Sequence, residues 1–200
     1  MKDLDLSEQG EGMSEVISDL QRGRPGALDQ FYRNHSGRVL RWVIRLGGPY
    51  LDAEDVAQDV FIVAFDKISS FDPARGPEEG WLFGVTRRVV ANARRRSLLR
   101  RFVGLDTLAP IPDPGPETDA VVASLWRRRQ VQLALEQLDS SKREVLVLMD
   151  LEEYTAPETA KMLSIPVGTV YSRLHHARKA FKAALEPRAE DLRGSVLGAT

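Results

Sequence analysis

Four prolines at alternate positions divide the chain, and they constrain its fold more than any other feature. Pro110, Pro112, Pro114 and Pro116 stand near the middle of a chain of 200 residues. Proline has no backbone N–H and clashes with the preceding helical turn, so this spacing forbids helix and favours extended, polyproline-like chain. We therefore predict that residues 102–124 form a flexible acidic linker between two folded halves.

Both halves have the apolar spacing of helices, and no alternating run longer than about four residues predicts a strand. Within the N-terminal half, a helix ends at Gly47, another begins after Asp52 as its N-cap, and a third begins near Trp81. We therefore predict an all-α fold made of two small helical domains.

The C-terminal half has the sequence pattern of a helix-turn-helix. A helix over about 125–138 precedes two apparent capping boxes, Ser141–Glu144 and Thr155–Glu158. The short helix after the second box stops at Ser164, and a longer basic helix follows. A short helix, a tight turn and a longer helix in this order are typical of DNA-binding domains.

The net charge of −1 hides a strong segregation of charge. Residues 1–20 carry six acids and one base, residues 52–66 carry five acids and no base, and residues 87–101 carry seven arginines and no acid. Charge blocks of this kind indicate more about binding partners than the net charge of the chain does.

The acidic block lies on one side of the second helix, at Asp52, Asp55, Asp59 and Asp66. A metal site is a poor interpretation, because no histidine is near and no glycine-containing calcium loop is present. A solvated face and a surface for a basic protein partner both remain open.

The arginine block follows Trp81 and Phe83, and aromatic rings beside cations suit unstacked single-stranded bases. A solvated face and a nuclear-type basic tract are the alternatives.

The terminal helix, within Ser164–Leu185, carries four cationic side chains and no acid. A solvated amphipathic helix is again the alternative, but the preceding short helix and turn favour DNA binding, with Gly168 and Thr169 letting the backbone approach phosphate.

Nothing in the sequence assembles an active site, and we expect no enzyme activity, no cofactor and no metal. The chain has no cysteine, and the adjacent His175 and His176 diverge on a helix, while His35 is isolated. No apolar run approaches the roughly 20 residues that span a bilayer, and the acidic N-terminus lacks a signal-peptide pattern. We expect a cytoplasmic protein without membrane insertion.

Three segments resemble bacterial RNA polymerase sigma factors of the extracytoplasmic-function (ECF) group of the sigma-70 family. They are DAEDVAQDVFIVAFDKISSFDP (52–73), WLFGVTRRVVANARRR (81–96) and GTVYSRLHHARKAF (168–181). The resemblance covers residues 24–101, as region 2, and residues 125–186, as region 4. It leaves an acidic extension, 1–23, and a tail, 187–200, which we expect to fray.

The resemblance implies three sets of contact residues. Docking on the clamp coiled coil of core polymerase is implied for Asp52, Asp55, Gln58, Asp59 and Phe61. Recognition and melting of the minus-ten element are implied for Trp81, Arg87, Arg88, Asn92, Arg95 and Arg96, together with the loop 71–80. Recognition of the upstream minus-thirty-five element is implied for Gly168, Thr169, Tyr171, Ser172, Arg173, His175, His176 and Lys179.

The resemblance also implies partners: core RNA polymerase through its clamp coiled coil and flap, promoter DNA, and an anti-sigma factor. The free protein would be a monomer, and the linker would thread through the cationic polymerase channel.

Arg88 stands where the family usually has Asn, and Tyr171 and His176 where it often has Arg. Leu138-Asp139 replaces a frequent Leu-Pro. These departures bear on the promoter sequence, because Tyr and His do not make the bidentate guanine contacts of Arg.

Two other classes of protein compete with this interpretation. A helix-turn-helix regulator would bind an operator without polymerase, usually as a dimer. A DNA-processing enzyme would need a metal centre that these residues do not assemble. Co-purification with core polymerase in a one-to-one complex discriminates between the classes.

Overall fold

The computed structural model describes residues 16–102 and 119–197, and these ranges are helical and contain no strand. The helices are α1 (residues 16–21), α2 (Ala27–Gly47), α3 (Ala53–Lys67), α4 (Glu78–Phe102), α5 (Asp119–Glu136), α6 (Ser140–Leu146), α7 (Ala156–Leu163) and α8 (Val167–Leu197). Short 3₁₀ turns occupy Ile68–Ser70 and Pro73–Arg75, and a π-helical turn at Val147–Leu151 follows α6. The all-α prediction is confirmed.

Helices α2, α3 and α4 pack around an aromatic core. Trp42 of α2 and Phe83 of α4 are fully buried and meet edge to face, with ring centroids 5.1 Å apart.

The end of α2 and the start of α3 have the residues that their backbone needs. Gly48 follows α2 at φ 77°, in the left-handed region that favours glycine. The Asp52 carboxylate accepts two backbone N–H groups of the next turn, at 3.0 and 3.2 Å, and caps α3 as the sequence predicts.

The N-cap of helix α6 lies two residues earlier than predicted. The side chain of Asp139, and not that of Ser141, accepts the backbone N–H of Lys142, at 3.0 Å. The Lys142 ammonium and the Ser141 hydroxyl also bind this carboxylate and hold the pKa of Asp139 well below its usual range. Glu144, the predicted partner in the box, instead accepts a hydrogen bond from Arg87 at 3.0 Å. The predicted Ser141–Glu144 box is therefore wrong.

The second predicted capping box is confirmed at the start of α7. The Glu158 carboxylate accepts the Thr155 N–H at 2.7 Å, and Thr155 Oγ1 accepts the Glu158 N–H at 3.4 Å. Helix α7 ends at Leu163 and is capped by Ser164, which adopts φ 55° and ψ 48°, and α8 begins three residues after that cap, at Val167. A left-handed residue of this kind reverses the chain after a helix. Helices α7 and α8 therefore form the predicted helix-turn-helix.

Two predicted boundaries are wrong. Helix α5 begins at Asp119, so residues 119–124 belong to a helix and not to the linker, while residues 103–118 lie outside the described residues. Helix α8 continues to Leu197, so the boundary predicted at Pro187 lies inside a helix and not at the end of one. Proline removes one backbone donor, but alanine, glutamate, leucine and arginine after it are good helix formers.

The two halves of the chain pack directly on each other, which a flexible linker does not predict. Helix α4 contacts α7, and α2 contacts α5, α6 and the π-helical turn. The buried Arg143 guanidinium donates to the carbonyl oxygens of Leu135, at 2.8 Å, Leu138, at 2.7 Å, and Leu46 of α2, at 3.1 Å. Burial lowers the pKa of Arg143 to about 10, so the group is charged at neutral pH. A single buried cation therefore joins the ends of helices from both halves.

Candidate functional site

The acidic side of α3 faces solvent over its first two turns. Asp52, Asp55 and Gln58 are exposed, and the Asp59 side chain is half-exposed. Arg96 of α4 approaches the Asp59 carboxylate at 3.6 Å, and an ion pair this exposed contributes little stability. We call Asp52, Asp55, Gln58 and Asp59 the α3 acidic surface. It can meet a partner without disturbing the core.

Phe61 is a core residue, and its expected contact with polymerase is corrected by the structure. Its side chain is 4% exposed. Its ring packs against those of Phe31, Tyr32 and Phe65, with centroids 6.3, 4.8 and 6.0 Å away. Phe61 therefore holds α3 against α2 and supports the acidic surface from the inner side of the helix.

Basic side chains follow one side of α4. Arg88, Asn92, Arg95 and Arg96 are exposed, and Arg95 Nη2 donates to Asn92 Oδ1 at 3.3 Å. We call these four residues the α4 basic surface. Arg87 lies beside them and donates to the Glu144 carboxylate of α6, so in this arrangement it contacts the other half of the chain. Four of the five predicted polar minus-ten residues thus share an open surface.

The two aromatic residues before this surface have different positions. Trp81 is half-buried and lies edge to face with Phe71, with ring centroids 5.7 Å apart. Phe83 is fully buried against Trp42, so the expectation that it contributes to a base-stacking surface is wrong. Of this pair, Trp81 alone has exposed ring area that a base could contact.

A buried histidine–glutamate pair fixes the start of α4. His35 Nε2 on α2 lies 2.5 Å from Glu78 Oε1, and the two side chains are 2% and 5% exposed. The Phe31 ring packs against the imidazole, with centroids 4.5 Å apart. Glu78 lies one turn before Trp81, so the pair determines where the indole is placed. The sequence pattern treats His35 as isolated, because its partner is 43 residues away in the chain.

The first turns of α8 present the predicted DNA-binding residues away from the core. Val170, Leu174 and Ala177 are buried, as the sequence predicts. The exposed residues are Gly168, Tyr171, Ser172, His175, His176 and Lys179, and the half-buried ones are Thr169 and Arg173. A Cβ at Gly168 would meet no atom of another element or of a more distant residue within 4 Å, so the backbone there is open to a close approach.

Arg178 is a residue whose role the sequence pattern does not indicate. Its Nε and Nη2 donate to the two carboxylate oxygens of Asp150, at 2.9 and 2.6 Å, and this pairing raises the pKa of Arg178. The bidentate contact joins α8 to the π-helical turn. Of two adjacent cations, Arg178 thus orients the helix, and Lys179 remains exposed to a ligand.

Residues 16–102 and 119–197 form neither a metal centre nor a membrane span. No group of three or more histidine, aspartate or glutamate side chains in these ranges could hold a metal ion. No helix in them combines the length and the apolar character needed to cross a membrane.

Comparison with known protein families matches the two halves separately. The model for Sigma-70 region 2 matches residues 31–100, and the model for Sigma-70, region 4 matches residues 128–181. Together they span more than half of the chain. The chain belongs to the sigma-70 family. It is an ECF sigma factor, and as such it directs promoter-specific initiation of transcription by RNA polymerase.

Two relatives of this chain are themselves described as RNA polymerase sigma factors. The chain is 30% identical to the ECF RNA polymerase sigma factor SigE of Mycolicibacterium smegmatis over 82% of its own length, and it spans 63% of SigE. It is also 30% identical to the RNA polymerase sigma factor CnrH of Cupriavidus metallidurans, over 84% of this chain and 91% of CnrH.

Two solved sigma factor structures share its fold. CnrH in complex with the cytosolic domain of CnrY superposes with a TM-score of 0.62 and 26% identity, over 86% of this chain and 96% of that one. The sigma factor RpoE in complex with the anti-sigma factor NepR, from Bartonella quintana, gives a TM-score of 0.59 at 21% identity, over 80% and 98% of the two chains. In this sigma factor, region 2 thus carries the α3 acidic surface and the α4 basic surface, and region 4 carries the helix-turn-helix.

Proposed function

We propose that this sigma factor binds core RNA polymerase through the α3 acidic surface, with the clamp coiled coil as the partner, and that region 4 contacts the flap. The free protein is a cytoplasmic monomer with no catalytic role of its own. One observation carries this proposal: the α3 acidic surface and the α4 basic surface have opposite charge and are presented by two helices of one core. Such an arrangement lets one domain bind a protein and a nucleic acid at the same time.

The minus-ten element is the proposed ligand of the α4 basic surface. Trp81 offers a ring for a base that has left the duplex, and the guanidinium groups of Arg88, Arg95 and Arg96 neutralise phosphates. Asn92, which accepts from Arg95, has an amide that donates and accepts hydrogen bonds at a base edge. Arg87 joins this set once it leaves Glu144.

The upstream element is the proposed ligand of α8. Gly168 and Thr169 lie where the backbone can approach a phosphate, and Ser172 and Arg173 lie where side chains reach base edges in the major groove. Tyr171, His175 and His176 complete the exposed set, and Lys179 contacts the phosphate backbone further along.

An anti-sigma protein is the proposed regulator of this activity. CnrH was solved with the cytosolic domain of CnrY, and RpoE with the anti-sigma factor NepR. We infer that a protein of this functional class binds here too and competes with core polymerase.

Reversal of charge on the α3 acidic surface tests the polymerase contact. Asp55→Arg should weaken binding to core polymerase roughly tenfold or more, and adding Asp59→Arg should weaken it further, because like charges then meet at the contact. Both positions face away from the apolar core, so the helical content should not change. Fluorescence titration of core polymerase with labelled protein measures the affinity.

Glu54→Arg is the matched control. Glu54 is an exposed acid on the same turn of α3, about 100° around the helix from Asp55 and at the edge of the acidic surface beside Gln58. Its reversal changes the charge of the helix equally but should weaken binding much less than that of Asp55. Equal losses for Glu54→Arg and Asp55→Arg, or no loss for Asp55→Arg together with Asp59→Arg, would contradict the assignment.

A further inference from the structure

A buried carboxylate of region 4 is held by two arginines of region 2. The Glu152 side chain is 6% exposed, and its two oxygens pair with Arg41 and Arg45 of α2. Arg41 approaches Oε2 at 3.3 Å, and Arg45 pairs with Oε1 and also donates to the carbonyl oxygen of Leu151 at 2.6 Å. We call Arg41, Arg45 and Glu152 the interdomain cluster. Its bonds are charge-assisted. The Glu152 carboxylate and most of the Arg45 side chain are buried, while half of the Arg41 side chain faces solvent, so the Arg45 bond is the better shielded of the two.

The backbone of region 4 is shaped to present Glu152 to α2. Glu152 closes the π-helical turn, and its N–H donates to the Val147 carbonyl oxygen at 2.9 Å. Glu153 follows at φ 61°, a left-handed conformation that non-glycine residues adopt rarely. The chain therefore reverses directly after Glu152 and leaves its carboxylate pointing at region 2.

Further contacts close the same interface beside the proposed minus-ten residues. Arg87 binds Glu144, and the Tyr154 hydroxyl donates to Glu79 Oε2 at 3.1 Å. A Cβ at Gly80 would lie only 3.2 Å from the Met162 Cα atom, so the backbones of α4 and α7 are in close contact. This interface thus occupies the start of α4, next to Trp81.

This packing is incompatible with simultaneous binding of two promoter elements. Helix α4 contacts α7, and α7 contacts α8, so two packing distances of about 8–10 Å each separate the two proposed DNA-binding helices. Elements about 25 base pairs apart on B-DNA are separated by roughly 85 Å, because one turn of about 10 base pairs advances 34–36 Å. The domains must therefore separate before both elements are bound.

We propose that the interdomain cluster is an autoinhibitory contact: it holds the free sigma factor closed, and its rupture accompanies assembly with core polymerase. This inference rests on the proposed function for what the open form binds. The closed form keeps Arg87 on Glu144 and the start of α4 against α7. The free energy of opening then offsets part of the free energy of polymerase binding. The apparent affinity is the affinity of the open form multiplied by the fraction of molecules that are open.

Charge reversal at Glu152 tests the proposal in the intact chain. Glu152→Arg places a third cation beside Arg41 and Arg45 and should open the interface. A variant with Arg41→Glu, Arg45→Glu and Glu152→Arg restores opposite charges and should close it again. Glu153→Arg makes the same change of charge one residue away, at an exposed position, and is the matched control.

Distances between spin labels on the free chain report the opening. The chain has no cysteine, so Ser69→Cys and Ala183→Cys place one label on each domain at exposed positions without a background signal. The parent and Glu153→Arg should share one short distance distribution. Glu152→Arg should shift it to longer and broader distances, and the triple variant should return it. The apparent Kd of Glu152→Arg for core polymerase should fall by about threefold to tenfold.

An unchanged distance distribution in Glu152→Arg, or a triple variant that stays as open as Glu152→Arg, would overturn the proposal. If Glu152→Arg loses helical content, the pair Arg41→Glu and Arg45→Glu on α2 takes its place with the same expected opening. The distance measurement needs no polymerase, so it tests the cluster even if the chain fails to support transcription. Run-off transcription by the unmodified chain tests the proposed function whatever the distances are.

Discussion

Arg173 and Lys179 both lie on α8, but their surroundings predict different effects on DNA binding. Arg173 is half-buried near the start of the helix, where side chains reach base edges, and Lys179 is exposed two turns later. Arg173→Ala should cost on the order of 1–3 kcal/mol of promoter binding and relax the preference at one upstream position. Lys179→Ala should weaken all sequences about equally and reduce the salt slope by about 1. Selection from a promoter library by polymerase carrying each variant measures both effects.

Arg178→Ala is the control for this comparison, because Asp150 already pairs with that guanidinium. Its salt slope should change less than that of Lys179→Ala. An unaltered upstream preference in Arg173→Ala would mean that α8 does not recognise the element through this residue.

Residues whose partners are close in the chain could be predicted, and those with distant partners could not. The N-cap at Asp52 and the box at Thr155 follow from neighbours within three residues. Glu152 and the buried pair of His35 with Glu78 depend on partners 43 to 111 residues away, which no local period encodes. Phe61 shows the same limit: the family resemblance implied a contact with polymerase, and the burial of this side chain depends on the rings of α2.

At the scale of one element, α6 depends on the cap that the sequence pattern misplaced. Asp139→Ala should cost about 0.5–2 kcal/mol of unfolding free energy, and Ser141→Ala should cost less, because the hydroxyl binds the cap and not the backbone. A larger loss of unfolding free energy for Ser141→Ala would instead support the predicted Ser141–Glu144 capping box. Urea unfolding followed by far-UV circular dichroism measures both losses.

The same residue predicts a pH dependence. The folded pKa of Asp139 is depressed, so its contribution to stability is present above its unfolded pKa, near 3.9, and is lost as the pH falls toward the folded value. The stability difference between the wild type and Asp139→Ala should therefore shrink below about pH 4. A difference that stays constant down to pH 3 would contradict this explanation of the cap.

Among the elements, helix type and order follow from the sequence, but three features of α5, α6 and α8 do not. Helix α5 starts earlier because residues 119–124 are acceptable helix formers beside the prolines. Helix α8 passes through Pro187, where the lost hydrogen bond is a cost that good helix formers on both sides offset. No sequence pattern within a few residues predicts the π-helical turn after α6. The turn places Glu152 against α2, and those partners are far away in the chain.

At the scale of the whole molecule, charge and closure both predict weak binding of DNA by the free protein. The net charge is −1, and six acids in the first twenty residues oppose attraction to phosphates. The closed packing keeps α4 and α8 too close to meet two elements at once. Core polymerase supplies the missing affinity by presenting both domains to one promoter at a fixed spacing. The sequence predicts the two domains and their surfaces, but their packing depends on charge pairs between α2 and region 4 that are far apart in the chain.

Transcription from a promoter library tests the central claim, that this chain gives core polymerase its promoter specificity. Core polymerase alone and core polymerase with the protein are each supplied with the library, and the transcripts are sequenced. We expect protein-dependent transcripts that start at one fixed distance downstream of two shared sequence elements, and no tight binding of those elements by the protein alone. Absence of protein-dependent transcripts, or nanomolar binding to a single operator without polymerase at physiological salt, would contradict the account.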